Sequence, residues 1–386
     1  MPSPARSFSI LSPSEAYSVF GITPSARLRP SPFFEATLTE GVTAFTTYNH
    51  MLMPTSFGDP EAEYWRLIRR VSMWDVACER QVQLQGPDAG RLAQILCPRK
   101  LDGCKIGQGK YAPLCNHEGV LINDPILLKL DEDRYWLSIG DSNIWFWARA
   151  IAAERELNVV VSEPDVSPLA IQGPKAEDLV ASIFGEWVRS LRYFWFKPAE
   201  TQGIPLVLAR SGWSKQGGFE LYLQDGSKGT QLWNLVREAG KRWDIGPGTP
   251  NFSERVESGL LSYGGDTDGA TNPFEVRLEK YIDLDVPDDV IGIDALRRIH
   301  QTGPKRRQLG VVLEGSEPTQ LGFLWHSIST PDGKRLGDLT NCAWSYRLKR
   351  NIGFGMVDAD CKPGDRVRVM KDGQAIAGEL VELPFL

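Results

Sequence analysis

Two neighbouring segments near the middle of the chain have a regular pattern of apolar and polar positions. Leu206 to Arg210 is a short apolar run, and Phe219 to Leu223 alternates between apolar and polar side chains. Such runs are typical of strands. The intervening loop, Ser211 to Gly218, contains three glycines, which allow tight turning. The pattern predicts a strand, a loop and a second strand that carries Glu220.

An internal repeat is the second pattern. Val82 to Leu96 (VQLQGPDAGRLAQIL) and Leu169 to Phe184 (LAIQGPKAEDLVASIF) each have the pattern of a strand, a QGP turn and a helix. Two copies predict two related α+β subdomains, whereas a solenoid would need three or more short repeats. Turn residues cluster at Gly246 to Asn251, which we predict to be a linker, and at Thr302 to Pro304, where we place a boundary. The predicted units are a flexible N-terminal arm (1–30), a two-subdomain region (31–302) and a C-terminal domain (303–386).

Composition narrows the functional classes. The chain has 386 residues, of which 42% are hydrophobic and 24% charged, so it can bury a large core. A formal charge of −6 argues against nucleic acid as a partner. No apolar run approaches the roughly 20 residues of a membrane span, and the N-terminus lacks a hydrophobic signal region, so we expect a cytoplasmic protein without membrane contact. The six cysteines have the spacing of buried free thiols, and the four scattered histidines predict no metal site.

Glu220 is the residue with the clearest candidate chemistry. A carboxylate that points inward from a strand must be satisfied by hydrogen bonds. A planar ligand edge with two adjacent N–H donors, as in a pterin or guanine ring, would satisfy it in fork geometry. A hairpin in which Glu220 pairs with a neighbouring arginine explains the same residues.

The segment around Glu220, ARSGWSKQGGFELYL (Ala209 to Leu223), resembles the GYTGEDGFE motif of the aminomethyltransferase family, which includes the T protein of the glycine cleavage system. The resemblance covers most of the chain and extends to four further segments: Tyr111 to Pro125, Arg255 to Asp285, Val290 to Leu296 and Ser345 to Val357. It implies an α+β fold with two related α/β subdomains and a C-terminal β-barrel, arranged as a ring around a central folate site.

Four details resemble the demethylase branch of this family, which acts on dimethylsulfoniopropionate: YNHMLMPTSF (Tyr48 to Phe57), SGWSKQGG (Ser211 to Gly218), Pro250-Asn251 and Lys280. The resemblance implies an enzyme of one-carbon and sulfur metabolism that transfers a methyl group from dimethylsulfoniopropionate to tetrahydrofolate. The products would be 3-methylthiopropionate and 5-methyltetrahydrofolate. Because a sulfonium leaves as a neutral thioether, no general acid is required.

Two other functions stay open at this point. One is a tetrahydrofolate-dependent methyltransferase for another donor, such as a betaine, a methylated amine or a methoxyaryl compound. The other is a non-catalytic folate-binding protein of iron–sulfur assembly. DGCKIGQG (Asp102 to Gly109) superficially resembles the signature of those relatives, but it lies at a different place in the chain.

The resemblance also implies site residues. Glu220, Tyr111, Trp213 and Asp124 would bind tetrahydrofolate. Asp124 would also be the catalytic group, because it would orient the folate and favour positive charge on the attacking nitrogen. The sequence N-D-P is equally consistent with a turn that Asp124 caps.

A sulfonium cannot donate hydrogen bonds, so its recognition depends on aromatic faces. Trp195, Tyr222 and Tyr48 are the candidate faces, and Lys215 is the candidate partner for the donor's carboxylate; ordinary packing and a solvated loop lysine are the alternatives. Three basic residues in the barrel segment, Arg347, Lys349 and Arg350, are expected to be solvated rather than to bind the folate tail. The expected partners are the small-molecule methyl donor and tetrahydrofolate, and a homodimer is left open.

Overall fold

The protein is described here from a computed structural model, which covers residues 27–316, 318–319, 325–371 and 373–386. The helices in these ranges are α1 (Phe34–Thr39), α2 (Pro60–Arg69), α3 (Ala89–Leu96), α4 (Ile144–Glu154), α5 (Ala176–Phe184), α6 (Gly229–Gly240), α7 (Phe252–Glu257) and α8 (Ile293–Thr302). None of the helices in the described ranges is long and apolar enough to cross a membrane.

The strands before the C-terminal barrel are β1 (Ala44–Tyr48), β2 (Met51–Ser56), β3 (Ser72–Asp75), β4 (Gln81–Gln85), β5 (Gln108–Tyr111), β6 (Leu114–Cys115), β7 (Leu121–Asn123), β8 (Ile126–Asp131), β9 (Arg134–Ser138), β10 (Val160–Ser162), β11 (Ser167–Gln172), β12 (Phe196–Thr201), β13 (Ile204–Ala209), β14 (Gly218–Leu223) and β15 (Gly246–Gly248). The barrel strands are β16 (Arg306–Leu313), β17 (His326–Ser329), β18 (Arg335–Ser345), β19 (Arg350–Asp358), β20 (Arg366–Lys371) and β21 (Gln374–Val381).

Two main sheets precede the barrel. One has five strands in the order β10-β4-β9-β8-β5, and the other has six in the order β12-β13-β14-β11-β3-β15. The two copies of the repeat supply β4 with α3 to the first sheet and β11 with α5 to the second. The predicted pair of related subdomains is therefore confirmed. The predicted strand, loop and strand around Glu220 is also confirmed, since β13 and β14 pair antiparallel.

Each sheet buries one face against its own helices. In the first sheet, Leu84 and Leu137 pack with Leu92 of α3 and Ala148 of α4. In the second, alternate residues of β14 (Phe219, Leu221 and Leu223) pack with helices α5 and α6. Because side chains of a strand alternate between its two faces, Glu220 and Tyr222 must point the other way. That second face meets the first sheet, where Trp136 and Leu128 contact Tyr222 and Val207.

The C-terminal strands close into a barrel in the order β16-β19-β18-β17-β20-β21, as the fold prediction expected. Its core consists of aliphatic side chains such as Leu309, Val311 and Val369. One predicted linker is wrong, because Gly246–Gly248 forms β15 and pairs in parallel with β3. Most of the predicted N-terminal arm, residues 1–26, lies outside the described residues, while Arg29 bridges to Met51.

Candidate active site

A cavity of about 850 Å³ opens where the two sheets, the segment 249–265 and the chain end after the barrel come together. Its lining includes four carboxylates, Glu63, Glu79, Asp124 and Glu220, and it reaches Pro384 near the C-terminus. Pockets for small molecules and cofactors have volumes of this order. The cavity is therefore large enough to hold more than one reactant.

Glu220 is held in this cavity by its strand neighbours. Ala209 on β13 and Ala170 on β11 lie directly across from it, and their small side chains leave room for the carboxylate. The Tyr222 hydroxyl donates to Oε2 of Glu220 at 3.0 Å, and the Ser211 hydroxyl donates to the same oxygen. Burial raises the pKa of Glu220, while these two hydrogen bonds lower it. Oε1 accepts no hydrogen bond from the described residues and is left for a ligand.

The loop between β13 and β14 is packed around the side chain of Gln172. Gln172 Nε2 donates to the Ser211 carbonyl at 3.2 Å, and the Ser214 hydroxyl donates to its Oε1 at 2.8 Å. A Cβ at Gly212 would lie 2.0 Å from Gln172 Nε2, and Gly218 has a φ of +155° with Ile171 O only 2.3 Å from the position of a Cβ. Both positions therefore require glycine, as the sequence pattern indicated.

Helix α7 anchors the other side of the same loop. Asn251 caps the helix by accepting from the Glu254 backbone N–H, which fixes the first turn. Oε1 of the buried Glu254 then accepts from the Lys215 N–H at 3.0 Å and from the Gln216 side chain at 2.9 Å. Trp213 donates from Nε1 to the Leu261 carbonyl at 3.3 Å. These bonds set the position of the Trp213 ring and the Lys215 backbone at the cavity wall.

Asp124 follows β7 and is fixed by its neighbours. Asn123 accepts from the Asp124 N–H at 3.0 Å and from the Gly140 N–H at 2.9 Å, which ties the turn to the end of β9. The Tyr111 hydroxyl donates to Asp124 Oδ2 at 2.7 Å. Burial raises the pKa of Asp124 to about 7, against the lowering effect of the Tyr111 hydrogen bond. Such a group can change its protonation state near neutral pH.

Gly140 provides space beside Asp124. A Cβ at this glycine would lie 3.2 Å from Asp124 Oδ1 and 3.5 Å from the Tyr48 hydroxyl oxygen. Tyr48 thus lies close to the same carboxylate. Burial first, and then the nearby Glu79 carboxylate, raise the pKa of Tyr48.

The structure places six of the eight predicted site residues on the cavity wall: Tyr48, Tyr111, Asp124, Trp213, Lys215 and Glu220. The other two lie outside the lining. Tyr222 is buried behind Glu220, to which its hydroxyl is bonded. Trp195 packs against the core of the second sheet, with the Arg192 guanidinium 6.0 Å from its ring. Direct contact with a substrate in the cavity is therefore not supported for these two rings.

Among the lining residues that sequence reasoning missed are Glu79, Tyr193 and Phe194. Tyr193 and Phe194 lie in the same aromatic segment, RYFWF (Arg192 to Phe196), as Trp195, so the segment itself pointed to them. The sequence did not indicate a role for Glu79, because a glutamate next to an arginine, here Arg80, is typical of a solvated pair of charges. Arg80 instead binds Glu163 through Nε at 2.7 Å, and Glu79 faces the cavity.

The expectation of a solvated basic face in the barrel is wrong for Arg347. Its guanidinium donates from Nε to the buried Glu257 at 2.9 Å, and the Tyr64 and Ser345 hydroxyls donate to the same carboxylate. This network joins α2, α7 and the barrel. All six cysteines are free, as expected, and five of them are buried. In the described ranges, no three His, Cys, Asp or Glu side chains are grouped so that they could hold a metal ion.

Comparisons with known proteins agree with this architecture. The family described as GCVT N-terminal domain matches residues 33–286, and the glycine cleavage T-protein C-terminal barrel domain matches residues 306–386. Dimethylsulfoniopropionate demethylase DmdA of Ruegeria pomeroyi is 44% identical over 337 residues, which are 87% of this chain and 91% of that protein. An aminomethyltransferase of Symbiobacterium thermophilum is 29% identical over 370 residues, covering 93% of this chain and 97% of its own.

A solved structure shows the same fold. The crystal structure of glycine cleavage system aminomethyltransferase T from Bartonella henselae matches with a TM-score of 0.78 at 23% identity, over 93% of this chain and 98% of that one. The family resemblance inferred from the motifs is confirmed by these matches.

Proposed function

The chain belongs to the glycine cleavage T-protein family, and we propose that it is a tetrahydrofolate-dependent demethylase of dimethylsulfoniopropionate. The observation that carries the proposal is its 44% identity with the Ruegeria pomeroyi demethylase over 87% of the chain, against 29% with an aminomethyltransferase. The tetrahydrofolate dependence follows from the family. When bound, tetrahydrofolate supplies the ring nitrogen that accepts the methyl group of the sulfonium.

Glu220 fits the role of a pterin ligand. Its Oε2 already accepts two hydroxyl hydrogen bonds, from Ser211 and Tyr222, whereas Oε1 accepts none from the described residues. An N–H of the ring edge can therefore bind at Oε1, and the hydroxyls hold the carboxylate in place for it. We assign Tyr222 this positioning role, since its ring does not reach the cavity. Tyr111 and Trp213 line the wall where the folate would pack.

Asp124 has the properties of the catalytic carboxylate. It lies in the same cavity as Glu220, its Oδ2 is held by the Tyr111 hydroxyl at 2.7 Å, and its Oδ1 accepts no hydrogen bond from the described residues. As a carboxylate it stabilises the positive charge that develops on the attacking nitrogen. With a pKa of about 7, it can also take up at Oδ1 the proton that must leave after the transfer. The cavity contributes alignment of the two reactants.

The methyl donor is assigned to the remaining wall. Tyr48 lies beside Asp124 and offers an aromatic face to a sulfonium. Lys215 lines the cavity and is the proposed partner of the donor's carboxylate. Trp195 is at most a support for the adjacent Tyr193 and Phe194, which do line the cavity.

A division into 31–302 and 303–386 is supported by the end of α8 at Thr302 and the start of the barrel at Arg306. We also propose a cytoplasmic location and a homodimer.

The test is an anaerobic assay of purified protein with tetrahydrofolate and dimethylsulfoniopropionate, with both products quantified together. We expect 3-methylthiopropionate and 5-methyltetrahydrofolate in equal amounts. Replacing Glu220 by Gln should abolish saturable tetrahydrofolate binding and turnover. Glu200→Gln is the matched control, because Glu200 is an exposed strand glutamate on β12 and its loss should change neither.

Unequal product amounts would mean that the methyl group does not pass directly to tetrahydrofolate. If the wild-type protein binds tetrahydrofolate through Glu220 but shows no turnover, the folate site is supported and dimethylsulfoniopropionate is rejected as the methyl donor. In that case betaines and methylated amines would be tested next.

A further inference from the structure

Glu79 is a half-buried carboxylate on the cavity wall, and the proposed reaction assigns it no role. It follows β3, and two hydrogen bonds fix its backbone: its N–H donates to the Val76 carbonyl at 2.9 Å, and Gln81 Nε2 donates to its carbonyl at 2.7 Å. The residue is half-buried, and it lines the cavity. Its position is therefore set by the fold rather than by a flexible loop.

No hydrogen bond or ion pair reaches the Glu79 carboxylate from any residue in the described ranges. The nearest cation in sequence, Arg80, is held by Glu163 outside the cavity. Of the four cations on the cavity wall, Arg255 pairs with Asp266 at 2.6 Å and Arg277 donates to the Gly259 carbonyl at 2.8 Å, while Lys215 and Lys280 form no ion pair with Glu79. A partly buried carboxylate loses hydration, and no hydrogen bond or ion pair from the described residues replaces it, so the presence of Glu79 needs an explanation.

The surroundings of Glu79 add negative charge and aromatic surface. Burial first, and then repulsion from Glu220 and Asp124, raise the pKa of Glu79 well above its ordinary value. The Glu79 carboxylate in turn contributes to the raised pKa of Tyr48 and of Tyr222, which places it near both rings. Glu79, Glu220 and Asp124 thus repel one another within one cavity that also has an aromatic wall, and a cation of ligand origin would relieve this repulsion.

We propose that Glu79 is the specificity-determining residue that makes this cavity select a positively charged methyl donor over a neutral one of the same shape. The proposal rests on the proposed function and adds the residue that recognises charge. A sulfonium has no N–H, so its contact with Glu79 is purely electrostatic, and the Tyr48 ring supplies the adjacent apolar face. Glu220 and Asp124 keep their assigned roles.

Glu79 could instead be a second ligand of the folate ring. The two roles differ in which affinity Glu79 controls. A donor-recognising Glu79 affects the donor and leaves tetrahydrofolate binding unchanged, whereas a folate ligand does the opposite. Because the sulfonium loses its charge during the transfer, the first role also predicts that the loss of Glu79 raises KM for the donor more than it lowers kcat.

The experiment compares two ligands of equal shape and different charge on the protein without tetrahydrofolate, so that no methyl transfer occurs. Dimethylsulfoniopropionate carries the sulfonium, and 4-methylpentanoate has a neutral carbon in its place. Calorimetry gives the Kd of each for the wild type, Glu79→Gln and Glu79→Asp. In Glu79→Gln the preference for the cation should fall roughly tenfold or more, the loss expected for a close charge pair. Glu79→Asp should retain part of the preference.

Glu63→Gln is the matched control, since Glu63 also lines the cavity but already accepts from the Phe57 N–H at 2.8 Å. It should leave the preference for the cation unchanged. A preference unaltered in Glu79→Gln, or a loss confined to tetrahydrofolate binding, would overturn the proposal. Thermal melts accompany each variant to show that it is folded.

The outcome also separates this proposal from the demethylase assignment. If the wild type does not bind dimethylsulfoniopropionate, the assignment of that donor fails. The charge preference is then measured with 3-(trimethylammonio)propanoate and 4,4-dimethylpentanoate. A preference for the ammonium compound that depends on Glu79 supports the inference without the demethylase. Its absence rejects both.

Discussion

Removal of the Tyr111 hydroxyl should shift the pH dependence of catalysis, because that hydroxyl is the only side-chain donor to Asp124 among the described residues. It donates to Oδ2 at 2.7 Å and stabilises the ionised form. A hydrogen bond to a charged group contributes about 1.5–3 kcal/mol. Since one pKa unit corresponds to about 1.4 kcal/mol, Tyr111→Phe should raise the pKa of Asp124 by about 1–2 units.

The sign of the effect on activity follows from the proposed role. In this role Asp124 acts as a carboxylate, so we expect activity to rise with pH as the group ionises, near its pKa of about 7. A higher pKa in Tyr111→Phe moves this acidic limb to higher pH. The variant should therefore be slow at neutral pH and should regain much of its activity at about pH 9.

The assay is kcat/KM for dimethylsulfoniopropionate at saturating tetrahydrofolate from about pH 5 to 10. Tyr281→Phe is the matched control, because its ring lies 4.7 Å from that of Tyr111 and its hydroxyl makes no hydrogen bond to Asp124 in the described residues. A limb that does not move in Tyr111→Phe, or that moves equally in the control, would refute the reasoning. Loss of activity at every pH would mean that the Tyr111 hydroxyl has a role beyond the pKa of Asp124.

Three further predictions concern stability and are checked by chemical denaturation. Because the pKa of Asp124 is raised in the folded protein, its ionisation lowers the free energy of unfolding, and this loss grows as pH rises from about 4 to 7. Asp124→Asn should therefore be inactive but more stable than the wild type at pH 8, by on the order of 2–4 kcal/mol. Gly218→Ala should lower the free energy of unfolding by about 2 kcal/mol or more, since Gly218 has a φ of +155° and a backbone oxygen lies 2.3 Å from the position of a Cβ. Gly269→Ala should leave the stability nearly unchanged, because nothing lies within 4 Å of a Cβ at that position. Asp266→Ala leaves the buried Arg255 without its partner and should cost about 3–5 kcal/mol; a smaller loss would mean that water reaches the guanidinium.

Local patterns in the sequence were enough to predict the repeat and the strands around Glu220. Alternation of apolar residues and the placement of glycines act over a few residues, so β13, β14 and the loop between them follow from the chain itself. The same alternation fixed Glu220 and Tyr222 on one face of β14. The motifs added the family, which the comparisons confirmed, while the roles of the individual site residues stay predictions.

Long-range pairing decided what local patterns could not. The turn-rich segment predicted as a linker is β15, because Gly246 to Gly248 meets β3 from a distant part of the chain. Trp195 was predicted to bind the substrate because it lies beside the predicted strand, loop and strand around Glu220. Its neighbours Tyr193 and Phe194 line the cavity instead, since Phe194 adopts a φ of +59° and breaks the alternation of side chains. No local rule predicts where a side chain points in such a segment.

Glu79 shows the difference between the two kinds of information most clearly. In the sequence it is one half of a Glu-Arg pair and carries no functional signal. In the fold, Arg80 turns outward to Glu163, and the packing of the two sheets brings Glu79 into one cavity with Asp124 and Glu220. The sequence by itself determined the family, the local elements and the presence of Glu220. The tertiary structure alone decided which charges share one cavity, because burial and the partners available to a charge depend on residues far apart in the chain.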